Sequence, residues 1–212
     1  MTSPVRALVV IDVQNEYFDG PLEIQYPPHA ESLPNIAAAI DAATAAGLPI
    51  VVVQHTAGDE APVFNPGRPG FALHPEVESR RTDSWFSITK QYNSVFAGTE
   101  LLGWLRERDI DTVTFVGYMT NNCVISSAAA AADQGLGAEV LSDATGAINI
   151  ANDAGYADAE AVHTTLMTLL HSNLASVSST AKWTEALQAG TPLPGSDLVT
   201  SALTGTQRAI RT

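Results

Sequence analysis

The sequence predicts a three-layer α/β/α sandwich with a mostly parallel central sheet of Rossmann-like type, and three observations carry that reading. Apolar runs of strand length recur at 7–13 (ALVVIDV), 48–54 (LPIVVVQ) and 112–116 (TVTFV), and their near-continuous hydrophobicity is that of strands covered on both faces. Helical patterns separate the runs, so the order is β-α-β with right-handed crossovers. Residues of chemical character stand at or just after the carboxyl ends of predicted strands: Asp12, His55, Lys90 and Cys123. A parallel sheet brings such residues to one edge, where ligands bind in open α/β folds. With 212 residues and 45% hydrophobic content the chain supports one well-buried core. We assign one domain to 1–190 and a C-terminal tail to 191–212.

In chain order, the first strand ends with Asp12 at the lip of the sheet, followed by the polar and aromatic stretch QNEYF at 14–18. Residues 19–30 hold Gly20, Pro21, Pro27 and Pro28 and carry no regular structure. Ser32 is expected to cap a helix over 33–46, with Pro34 in its first turn and Gly47 at the terminator position. The second strand follows and delivers His55. Residues 56–84 form a long Gly/Pro-rich connection whose Phe64, Phe71 and His74 are suited to wall a pocket.

The segment WFSITK at 85–90 reads as a short strand ending in Lys90, and Thr99 as the cap of a helix over 100–108 with Trp104 and Leu105 facing inward. The stretch 112–131 reads as a buried strand, a turn opened by Gly117 and a helix starting near Asn122, which places Cys123 in the first helical turn. Gly135 and Gly137 end that helix, and 138–141 is another strand with 142–145 beyond its carboxyl end. A helix over 158–172 carries Val162, Leu166, Leu169 and Leu170 on one side; its His163 and His171 are expected to pack rather than bind metal. A strand at 174–177 and a helix at 181–189 follow. Residues 190–212 show little periodicity and are expected to be disordered or to lie on a partner subunit.

Composition narrows the function. Ten Lys and Arg stand against 23 Asp and Glu, for a formal charge of -13, with no basic run. That argues against a nucleic-acid partner, whose phosphates demand cationic side chains, and favours a small-molecule substrate that is neutral or cationic. The single cysteine permits no intrachain disulfide, and no Cys/His cluster has zinc spacing. The apolar run at 7–13 is too short to cross a membrane, so no membrane partner is expected and a cytoplasmic enzyme is the default.

A thiolate attacking a carbonyl needs a base, a cation to hold its charge, and N–H donors for the oxyanion. The helix start is expected to favour the Cys123 thiolate. Asp12 fits the base that later returns the proton to a departing amine. Lys90 fits the cation, and amides at the helix start, that of Cys123 included, fit the oxyanion hole. His55 fits a substrate contact or a structural hydrogen-bonding residue, and Trp85 and Phe86 fit a wall or an interface.

Here the chain strongly resembles the isochorismatase-like cysteine hydrolase family. The resemblance rests on ALVVIDVQNEYF at 7–18, VVVQHT at 51–56, GFALHPEV at 70–77, the run from ITKQYNSVFAGTELLGWL to NNCVISSAAAAADQG at 88–135, and EVLSDAT at 139–145. Within it, Lys90 with SxFxGTxLxxxL from Ser94 to Leu105, and GxxTxxCV from Gly117 to Val124, stand in the family's order and spacing. The resemblance implies an isochorismatase-type fold, a triad of Asp12, Lys90 and Cys123, a cis peptide between Tyr118 and Met119 that turns the Met119 amide toward the oxyanion beside that of Cys123, no cofactor, and a homo-oligomer.

Departures from particular branches sharpen the reading. Metal-binding nicotinamidases of the family carry an Asp and several histidines after the second strand, where this chain reads Gln54–His55–Thr56. Isochorismatases proper do not rely on a cysteine, because opening a vinyl ether needs no acyl-enzyme. Cys123 therefore favours the branches that cleave C–N bonds of amides, lactams or carbamoyl compounds, with Phe18, His55, Phe64, Trp85, Tyr118 and Asn122 round the substrate. Vinyl-ether hydrolysis is the enzymatic alternative. A non-catalytic binding or assembly protein is the other, supported by the alanine-rich helix after Cys123 and the uncommitted tail.

Overall fold

A computed structural model describes residues 3–210. Its centre is a six-stranded parallel sheet built from β1 (Arg6–Ile11), β2 (Ile50–His55), β3 (Phe86–Lys90), β4 (Thr112–Tyr118), β5 (Gly137–Gly146) and a later strand, Ser176–Ser178. The spatial order is β3-β2-β1-β4-β5 with Ser176–Ser178 at the far edge. All pairings in this sheet are parallel, as βαβ crossovers demand.

Alternation along the strands feeds two cores. Leu8, Val10, Val52 and Val116 face one layer, where they meet Ile36, Ile40 and Ala43 of α1 (His29–Ala45). Val9, Ile11, Val51, Val53, Phe115 and Val140 face the other, against Leu101 and Leu105 of α3 (Leu101–Arg106; the short α2 is Pro75–Glu78) and Ala128 and Ala131 of α4 (Ile125–Asp133). The alanines of α4 allow close approach to the sheet, and each fully buried Val, Leu or Ile contributes about 1.5–3 kcal/mol.

Several elements differ from the sequence reading. Helix α1 starts four residues earlier than the expected 33, at His29, and leaves Pro34 inside it. Ser32 is therefore no cap: it is buried, shares a 2.8 Å hydrogen bond with the Tyr118 hydroxyl and bonds the Pro28 carbonyl. Gly47 does follow the helix with a left-handed φ of 68°. Strand β5 continues through 142–145, which carry enough polar residues to look like a loop, and its register with β4 shifts between Phe115 and Gly117. A hairpin of β6 (Ile150–Asn152) and β7 (Gly155–Ala157) follows, too short to show a pattern.

Helix α5 (Ala159–Leu169) is capped by Asp158 and buries Ala159, His163 and Met167, with Leu170 just beyond; Leu169 faces solvent. The apolar side assigned from sequence is thus rotated, because His163 takes an inward position. After β8 (Ser176–Ser178) comes α6 (Thr180–Ala189), capped by Ser179 and closed by Gly190 at φ 63°. The tail is folded: Leu193 is buried, and α7 (Leu198–Ala209) is capped by Asp197.

At the amino end of the sheet, Arg6 and Glu139 form a buried ion pair at 2.8 Å. Glu139 also accepts hydrogen bonds from Thr114 at 2.7 Å and from the Trp183 indole at 3.0 Å, and Arg6 donates to the Thr191 carbonyl at 2.7 Å. Every charge there is partnered, which is what allows it to be buried.

Candidate active site

Four adjacent strands deliver the candidate residues to the opposite edge. Lys90 ends β3, His55 ends β2, Asp12 follows β1, and Cys123 follows β4 through a turn. Asp12 sits at φ 49°, in the left-handed region that aspartate tolerates better than most residues, and its amide is held by the Val53 carbonyl at 3.0 Å. That twist ends the strand and lifts the carboxylate over the edge.

Lys90 reaches past β2. Its Nζ lies 2.7 Å from Asp12 Oδ2, 3.2 Å from Cys123 Sγ and 3.3 Å from His55 Nδ1. An ammonium has three N–H groups, and each has a partner here. Asp12 and Lys90 are fully buried and Cys123 nearly so. With Nδ1 accepting from Lys90, the His55 ring carries its proton on Nε2, and burial together with the Lys90 charge pushes its pKa down to about 4.

Burial dominates the electrostatics of the other two groups. It raises the Asp12 carboxyl above its ordinary value against the opposing pull of Lys90. It also pushes the Cys123 thiol up to about 12, helped by the Asp12 charge. This overturns the expectation of a ready thiolate at a helix start. Cys123 stands instead within a π turn, Thr120–Val124, ahead of α4, and its proton has an adjacent carboxylate to receive it. The acid, cation and thiol meet as their positions at the strand ends require.

The peptide between Tyr118 and Met119 is cis. Gly117, at φ 104°, packs so closely against β1 that a Cβ would stand 2.0 Å from the Ile11 carbonyl oxygen. The π turn is secured from two sides. Ser127 donates to the Cys123 carbonyl at 2.6 Å, and Thr120 Oγ1 lies 3.0 Å from Nδ1 of buried His163. His163 also bonds the Ser142 backbone, and burial lowers its pKa to about 4.

The proposed substrate contacts divide. Phe64 stands edge-on to the His55 ring at 5.1 Å, and half-buried Asn122 lies in the π turn with its amide on the Met119 carbonyl, so both accompany the triad. Tyr118 turns into the core, against Tyr17 and Phe18 and the Ser32 hydroxyl. Phe18 lies 4.2 Å from the His74 ring and lines a cavity of about 550 Å³ with Leu33, Pro34 and Arg80, which none of the triad residues lines. Trp85 is a correction: it precedes β3 at the amino end of the sheet, beside Leu48, Pro49 and Arg108, and is remote from Lys90 by the length of the strand.

Gln14 was absent from the expected site. It is fully buried, accepts from the His55 amide at 2.8 Å and donates to the carbonyls of His55 and Phe71 at 3.1 and 2.8 Å, fixing the backbone of the second strand's end to the long loop. Glu16 accepts from the Phe64 amide at 3.1 Å and holds the same loop. The signal for both was the polar run just after Asp12. Among the described residues no group of three or more His, Cys, Asp or Glu side chains is gathered to hold a metal, and no helix is long and apolar enough to cross a membrane.

Comparison with known proteins adds the decisive observation: the isochorismatase domain pattern matches residues 6–182, which span every element of the site. The chain belongs to the isochorismatase family. The uncharacterized isochorismatase family protein YrdC of Bacillus subtilis is 30% identical over 177 residues, covering 82% of this chain and 92% of its own. A Burkholderia xenovorans LB400 structure of isochorismatase type is 46% identical, with a TM-score of 0.95 over 99% of this chain and 100% of its own. The N-carbamoylsarcosine amidase of Thermoplasma acidophilum is 25% identical, with a TM-score of 0.66 over 85% of this chain and 97% of its own. The protein is an isochorismatase-family hydrolase on the family's parallel α/β fold.

Proposed function

We propose that this hydrolase cleaves the C–N bond of a small amide, lactam or carbamoyl compound through an acyl-enzyme on Cys123. The observation that carries the reading is the single Lys90 ammonium in contact with both Asp12 Oδ2 and Cys123 Sγ. A thiol raised to about 12 cannot ionise alone at neutral pH. Its proton moves to the Asp12 carboxylate as Sγ bonds the carbonyl carbon, and Lys90 steadies the charge on both partners.

The carbonyl π electrons become an oxyanion, held by the amides of Met119 and Cys123. Collapse re-forms the carbonyl and breaks the C–N bond, while Asp12 gives its proton to the leaving nitrogen. Water then attacks the thioester, Asp12 takes the water's proton, and the proton returns to Sγ as the acid departs. Neutral His55 offers its Nε2 proton to a substrate acceptor, with Phe64 beside it and Asn122 on the facing turn. The amidase from Thermoplasma acidophilum supports the reaction class through its shared fold and sequence.

A panel of small amides, lactams and carbamoyl compounds, followed by ammonia or amine release, tests the proposal. Release should require Cys123, and intact-mass spectra should show an acyl adduct on the chain. Full turnover by Cys123→Ala would overturn the covalent route. Turnover of a vinyl ether without amine release would move the chain to the isochorismatase chemistry.

A further inference from the structure

Helix α7 lies beyond residue 182, where the family domain ends, and it presents its faces in an unusual way. The side turned to the body carries Thr200, Ser201, Thr204 and Arg208, over a cavity shared with Met167 and His171. The apolar side points outward: Val199 is 68% exposed, Leu203 61% and Ile210 80%. An amphipathic helix packed on its own protomer buries its apolar stripe. Here the stripe is left for something else to cover. It continues across a groove through Leu198, 60% exposed, to Leu169 of α5, 45% exposed.

We infer that this face of α7 and α5 is where a second copy of the chain docks. The charge pattern selects that occupant. The chain carries a formal charge of -13, yet residues 161–181 and 198–207 contain no Asp, Glu, Lys or Arg. In a two-fold contact each residue near the axis faces its own copy, so any charge there repels itself, and an uncharged patch is what self-association of a strongly acidic chain demands. A membrane surface is a poor fit, because interfacial helices carry a Lys/Arg-rich polar side. The polar side of α7 is instead threonine, serine and glutamine, with one arginine. Size is compatible: the exposed apolar area is on the order of 500 Å², toward the upper end of the largest patch a monomer carries, about 300–600 Å², and the bulk of one partner's share, about 800 Å², in a standard interface.

Sedimentation velocity on the full chain over a concentration series tests this. The wild-type chain should associate, and Val199→Asp with Leu203→Asp should raise the dissociation constant at least about thirtyfold, the weakening expected from loss of one central anchor. The thermal melt of the dissociated variant should stay close to that of the dissociated wild type, since both side chains point away from their own protomer. Hydrogen exchange on the wild type supplies a readout independent of the variant: protection over 198–209 should fall on dilution. A wild-type chain that stays monomeric, a double variant that associates undiminished, or protection that ignores concentration would each overturn the inference.

Discussion

The Lys90 ammonium and the Asp12 carboxylate lie 2.7 Å apart with both side chains fully buried, and neither has water to fall back on. Truncating one member strands the other, which costs about 3–5 kcal/mol in buried pairs. Lys90→Met should therefore destabilise the fold by that order in urea titrations at pH 7. The Asp12 carboxyl is already above its ordinary value and rises further without Lys90, so the loss should grow as pH increases from 4 to 7 and shrink in acid, where Asp12 is protonated in both states. Adding Asp12→Asn should recover much of it. Equal penalties at pH 4 and 7 would contradict the pairing.

Asp12 exerts two opposed effects on Cys123, and one substitution separates them. Its charge helps hold the thiol near 12, so Asp12→Asn should lower the thiol pKa and speed alkylation of Cys123 by iodoacetamide at pH 8. The same change removes the base, and amide turnover should drop by about 10²–10⁴-fold. A more reactive but inactive thiol is the expected pairing. Slower alkylation in the variant would show that the carboxylate does not raise the thiol.

His163 ties the π turn to β5 in its neutral form, with a folded pKa of about 4 against an ordinary 6.5. An imidazole depressed on folding contributes stability that is complete above 6.5 and is lost as pH falls from 6.5 through about 4. The loss is on the order of 3 kcal/mol, which denaturant titrations should record as a slope of close to one proton in that window. His163→Gln should flatten the slope. An unchanged slope would remove His163 from the acid sensitivity.

Glu139 anchors the amino end of the sheet, away from the reacting edge. Glu139→Gln leaves Arg6 without its counter-charge and should cost about 3 kcal/mol. The folded fraction should keep its turnover number, because Glu139 touches none of Asp12, Lys90 or Cys123. A fall in turnover per folded molecule would reveal coupling between the two ends.

What the sequence disclosed follows from where its signals lie. Asp12, Lys90 and Cys123 were legible because continuous apolar runs locate strand ends, and parallel topology then forces those ends together. Trp85 was misplaced although the same rule applied to it: a residue opening a strand belongs at the opposite edge from the one closing it. Gln14 was missed, and His163 was read as a packing residue, which it is, without its tie to the π turn, because both roles consist of bonds to residues distant in sequence, such as Phe71 and Ser142, which no local pattern announces. Ser32 looked like a cap because a serine before an apolar helical run is one locally; its bond to Tyr118 overrides that. Helix α7 was hidden by threonines and Gly205, poor helix formers, although Asp197 three residues before Thr200 was an available start signal.

The spacing of the sheet also dictates which strand must carry which charge. Neighbouring strands stand about 4.8 Å apart, so the four-carbon stem of Lys90 spans β2 and delivers its nitrogen near β1 and β4. Exchanging the two residues, with Asp12→Lys and Lys90→Asp, keeps the combined reach and lets opposite charges meet again, but above the end of β3. The sulfur would then be left on the far side of the gap, so such a double exchange should repair folding more than turnover.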